Sequence, residues 1–89
     1  MIGLMTHEEA FARLKEILQR DFEIPPQKVT LDASFMGTLG MDSLDVVDFV
    51  SYIEYAFDID VGLQAYRDLD TVQKLLDFLV AQKNQAAAR

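Results

Sequence analysis

Apolar residues recur at three- and four-residue spacing in three separate stretches of this chain, and a Pro-Pro pair stands between the first two. That pattern constrains the fold more than any other feature. In the first stretch Phe11, Leu14 and Leu18, with Ala10 and Ile17, make one stripe of a helix predicted from Thr6 to about Asp21. Thr6-His7-Glu8-Glu9 fits a capping box, with Thr6 as N-cap and Glu9 reaching back. Pro25-Pro26 stops any continuation. The second stretch runs from roughly Ser43 to Phe57, and the third follows Thr71, a plausible N-cap, through Val72, Leu75, Leu76, Leu79 and Val80. No strand-period alternation competes.

The expected fold is therefore all-α: a small four-helix bundle made of three main helices plus a short third helix over Leu63 to Asp68. A long loop joins helices I and II. Residues Phe22 to Asp42 form a connection longer than a compact domain usually contains, which marks a packed or functional loop. Its apolar members Val29, Leu31, Phe35, Met36 and Leu39 are expected to fold back onto the core. Residues 1–5 read as an N-terminal extension, 6–83 as the domain, and 84–89, with nothing to bury, as a frayed tail.

Composition narrows the function classes. Eighty-nine residues make one domain that buries roughly 65% of its unfolded surface, enough for one core and not for a large cleft. The absence of cysteine excludes a disulfide framework, a thiol nucleophile and a thiolate metal site. No apolar run approaches the roughly 18 residues that a membrane span needs, and Met1 to Met5 is too short and uncharged for a secretory signal. A cytoplasmic monomer without membrane insertion is expected. The net charge of −7 is uneven: no Lys or Arg lies between Lys28 and Arg67, where Asp32, Asp42, Asp45, Asp48, Glu54, Asp58 and Asp60 all fall. Nucleic-acid binding needs the opposite sign. Proteins with basic patches, met through steered encounters, are the expected partners.

Winding residues 44–57 at about 100° per residue separates two faces. Val46, Phe49, Val50, Ile53 and Phe57 make the core face. Leu44, Asp45, Asp48, Ser51, Tyr52 and Tyr55, with Val47 at the edge, make the other. Apolar anchors ringed by acids suit a transient docking surface, since charges orient and buried apolar atoms hold. Ahead of this helix stands Leu39-Gly40-Met41-Asp42-Ser43-Leu44-Asp45, a glycine turn and then a serine at a helix mouth. Asp and Ser are both favoured N-caps, so the pair alone marks only a helix start. At that position, however, a hydroxyl can carry a phosphate-linked group against the positive end of the helix dipole.

Val29 to Phe57 reads V-T-x-x-A-S-F-x-x-x-L-G-x-D-S-L-D-x-V in its matching part, and this resembles the acyl carrier proteins. Asp42-Ser43-Leu44 is weak by itself; with Ala33-Ser34-Phe35, Leu39-Gly40, Asp45, Val47 and Phe57 in register it is specific. The likeness extends from helix I to about Gln82. It implies a non-enzymatic carrier whose Ser43 bears covalent 4'-phosphopantetheine, the arm supplying the thiol this chain lacks. It also implies a docking surface of Asp42, Leu44, Asp45, Val47, Asp48, Glu54 and Tyr55, and an acyl cavity lined by Phe35, Val46, Phe49, Val50, Ile53 and Leu69. The implied partners are a phosphopantetheinyl transferase (holo-synthase) and acyl-loading, ketosynthase, reductase or acyltransferase enzymes of fatty-acid, polyketide or specialised lipid synthesis.

Four features depart from housekeeping fatty-acid carriers. Thr38 stands where an acid usually precedes Leu-Gly, Glu54-Tyr55-Ala56-Phe57 replaces a glutamate run, and Asp58 to Gly62 lacks the common proline. Phe49 is bulkier than the usual aliphatic residue. These differences favour a specialised carrier.

Three rivals remain. An enzyme with Ser43 as nucleophile needs a base, and the sole histidine, His7, lies on helix I; no Gly-x-Ser-x-Gly elbow is present. Asp58-x-Asp60-x-Gly62 hints at a calcium loop but lacks the terminal glutamate, and no metal ligands are assigned. The third rival is an acidic helical docking module that is carrier-like but unmodified.

Overall fold

The computed structural model describes residues 5–62 and 68–87. Its described part is all-helical: α1 (His7–Phe22), a single 3-10 turn (Pro26–Lys28), α2 (Ser43–Phe57) and α3 (Val72–Ala87), with no strand among the described residues. Among the described residues the main helices number three. The expected short helix over Leu63 to Asp68 lies, for residues 63–67, outside the described residues.

Each helix begins where a side chain can satisfy first-turn N–H groups. The Glu9 N–H donates to Thr6 Oγ1 (3.1 Å), and the Lys74 N–H donates to Thr71 Oγ1 (3.3 Å). The return arm expected of Glu9 ends on the Thr6 hydroxyl instead of its backbone: Thr6 Oγ1 donates to Glu9 Oε1 at 3.3 Å. α1 and α2 both end in a residue with left-handed backbone, Glu23 (φ 57°) and Asp58 (φ 54°).

α1 packs against both α2 and α3. Ala10, Leu14, Ile17 and Leu18 of α1 meet Val46, Phe49, Ile53 and Phe57 of α2 and Val72, Leu75, Leu76, Leu79 and Val80 of α3 in one buried core. The last turn of α2 has no basic residue of its own. Its carbonyls are met by cations from the other two helices: Arg13 Nη1 donates to Ala56 O (3.3 Å), and Lys83 Nζ donates to Phe57 O (2.8 Å). Both satisfy acceptors that an α-helix leaves open and oppose the negative end of its dipole.

The long connection is not free. Val29, Phe35 and Leu39 are buried, but Leu31 and Met36 are 45% and 59% exposed, contrary to the expectation that all five fold inward. The physical reason is that this segment is fastened by its backbone. Gln73 and Val72 donate to Leu31 O (2.8 Å) and Ala33 O (3.0 Å), and Phe35 donates to Asp70 O (3.1 Å). The loop carbonyls thus take up the first N–H groups of α3.

The tail expectation is corrected for residues 84–87, which continue α3. Asn84 holds the chain start at both ends of one residue: Met5 N–H donates to its Oδ1 (2.8 Å), and its Nδ2 donates to Met5 O (3.2 Å). Met5, assigned to an extension, packs against the core. No helix among the described residues is long and apolar enough to cross a membrane.

Candidate functional site

The approach to Ser43 is a self-bonded turn. Ser34 Oγ accepts from the N–H groups of Gly37 (3.1 Å) and Thr38 (3.0 Å), while Thr38 Oγ1 accepts from Ser34 N–H (3.2 Å). A Cβ at Gly37 would collide with that Ser34 hydroxyl. Leu39 N–H then donates to Ser34 O, and Met41 N–H to Phe35 O, both at 3.0 Å. Gly40, at φ +68°, makes the left-handed step that turns the chain into α2.

Asp42 is the N-cap of α2 and Ser43 its first helical residue. Asp42 and Asp45 cap each other: Asp45 N–H donates to Asp42 Oδ1 (2.8 Å), and Asp42 N–H donates to Asp45 Oδ2 (3.3 Å). Ser43 is exposed. The first-turn N–H groups of Ser43 and Leu44 have no acceptor among the described residues, and neither does the Ser43 hydroxyl. A phosphate-linked group on that oxygen would meet free donors and the positive helix end.

Around the serine the surface is acidic and studded with apolar side chains. Leu44 is 75% exposed, Val47 37%, Tyr52 45% and Tyr55 91%. Asp42 and Asp48 are exposed and Asp45 half-buried. Glu54 is the exception within the expected docking set. Its Oε2 accepts from Val61 N–H (2.9 Å) and Gly62 N–H (3.3 Å), so its charge is spent on the loop after α2. Those two backbone donors hold its carboxyl below the usual glutamate range.

Beneath this surface Phe35, Val46, Phe49, Val50, Ile53 and Leu69 line one cavity, together with Val61 and Leu75. Its volume is about 20 Å³, room for about one water. Val61 and Leu75 were not among the sequence candidates. Leu75 carried a signal, as part of the α3 stripe; Val61 carried none, because Glu54 positions it. A second, open groove of about 470 Å³ adjoins the cavity through Phe35, Val46 and Leu69 and runs out past Ser34, Met36 and Asp70.

The model of the phosphopantetheine attachment site family matches residues 12–79, more than half of the chain, and spans this serine turn. The chain belongs to the acyl carrier protein family. An acyl carrier protein of Trieres chinensis is 35% identical over 75 residues, covering 84% of this chain and 94% of the relative. One from Buchnera aphidicola subsp. Acyrthosiphon pisum (strain Tuc7) is 39% identical over 67 residues, covering 75% and 84%. Its prosthetic group is covalently attached 4'-phosphopantetheine, and the protein is a carrier and not an enzyme. As a carrier protein it works with a phosphopantetheinyl transferase and with synthesis enzymes.

Proposed function

We propose that Ser43 is the attachment residue and that the chain holds acyl intermediates as thioesters on the arm it bears, presenting them to partner enzymes in the cytoplasm. The observation that carries this is the exposed Ser43 hydroxyl on the first residue of α2, beside two unpaired first-turn N–H groups. In the loading step an O–P bond forms at Ser43 Oγ, the pyrophosphate bond of coenzyme A breaks, and adenosine bisphosphate leaves. The transferase takes the serine proton. Asp42 and Asp45 place two negative charges at the same helix end, which favours enzymes with a basic mouth.

Leu44, Val47 and Tyr55 supply the apolar anchors of that docking face, and Asp42, Asp45 and Asp48 orient the encounter. Thr38 and Phe49 support a specialised carrier, for a polyketide or a modified lipid, over the housekeeping role in fatty-acid synthesis. Intact-protein mass spectrometry tests the attachment. Incubation with coenzyme A, magnesium and a broad-specificity transferase adds one phosphopantetheine to the native chain and none to Ser43→Ala. No gain on the folded native chain, with more than one transferase, overturns the reading and leaves an acidic docking module.

A further inference from the structure

The cavity under α2 is small, and two aromatic rings narrow it. Phe35 and Phe49 both line it, with ring centroids 5.3 Å apart at 47°. Phe35 also lines the open groove outside, with Val46 and Leu69, and Phe49 stands directly behind it on the cavity side.

The Phe49 ring is not free to withdraw. Phe49 is 2% exposed and is backed by the edge of Phe22, with centroids 5.7 Å apart at 90°. Phe22 is backed in turn by Tyr52, at 5.7 Å and 89°. Displacing Phe49 backwards breaks both edge contacts, each favoured by the ring quadrupoles. On the other side Phe35 is fixed through its backbone: its N–H donates to Asp70 O, and its carbonyl accepts from Met41 N–H. The whole cavity, with Val46, Val50 and Ile53 among its walls, holds only about 20 Å³ while Phe49 fills its place.

Resting on the carrier reading above, we propose that Phe49, braced by Phe22 and Tyr52, bars extended acyl chains from the core and keeps them at the surface of this carrier. Such a chain travels in reach of solvent and of the partner, and transfer needs no extraction from between helices. Phe49 is then the specificity-determining residue: an aliphatic side chain there opens the core to the acyl group.

The test loads the native chain and Phe49→Leu with straight-chain acyl groups, from acetyl to dodecanoyl, using the matching acyl-coenzyme A and a broad transferase. Intact mass confirms each product, and thermal unfolding reads the rest. Each methylene that enters a core of this size raises Tm by about 3–6 °C. The native series is expected to stay flat with chain length, while the Phe49→Leu series climbs over its first several carbons. Phe35→Leu, which opens the same constriction from the loop side, climbs too and serves should Phe49→Leu fail to fold. A native series that climbs as steeply as the variants overturns the proposal and leaves the carrier reading intact. Absence of any mass gain overturns both.

Discussion

Gly40 gives the cleanest test of how the serine turn is built. Its φ of +68° is left-handed, yet a Cβ added there meets nothing within 4 Å. Gly40→Ala therefore isolates backbone strain from collision. The left-handed conformation costs an L-residue about 1–2 kcal/mol. Against that, alanine narrows the unfolded ensemble and returns about 0.4–1 kcal/mol. The net destabilisation is about 1 kcal/mol, read as a Tm loss of about 4–8 °C in a domain of this size. Gly40→Asn, which tolerates the left-handed region, should lose distinctly less. Gly37→Ala has a different cause, since its Cβ collides with Ser34 Oγ and breaks the hydroxyl's two bonds to Gly37 and Thr38. Thermal unfolding of the three variants side by side, followed by circular dichroism, measures all of this. Equal losses for Ala and Asn at Gly40, or no loss for either, would refute the strain argument.

Three further outcomes follow from the site. Leu44→Ala, at a side chain 75% exposed, leaves stability within about 0.5 kcal/mol but slows transferase loading by roughly fivefold or more, measured as rate by intact mass. Lys83→Met leaves Phe57 O without its donor and costs about 1–2 kcal/mol by chemical denaturation. The carboxyls of Glu54 and Asp70 are depressed, the first by the Val61 and Gly62 N–H groups and the second by Lys74. Their stabilisation is thus fully present above the unfolded values, near pH 4, and is lost as pH falls through the lower folded values. Glu54→Gln flattens that acid limb in pH-dependent unfolding, and a slope unchanged in the variant contradicts it.

The helices were legible because each carries a periodic stripe and a side-chain cap that sequence spells out, as at Thr6, Asp42 and Thr71. The loop was legible only where burial needs apolar residues. Leu31 and Met36 look like core and are not, since the segment is held by main-chain bonds to Asp70, Val72 and Gln73, which any side chain could accompany. Glu54 was assigned to the docking surface by the family resemblance; its two acceptor bonds depend on a loop whose path composition does not encode. Asn84 was read as tail for a similar reason, since its partner Met5 is 79 residues away.

Those main-chain bonds between residues 31–35 and 70–73 have a consequence for biogenesis. The segment leading to Ser43 is synthesised well before the residues that hold it. Until Asp70 to Gln73 have left the ribosome, the bonds that Leu31, Ala33 and Phe35 make to them are absent, and the self-bonded turn into α2 is unanchored. The serine's presentation thus depends on residues 70–73 as well as on its own turn. A transferase that reads the anchored turn can therefore favour chains in which those residues are in place.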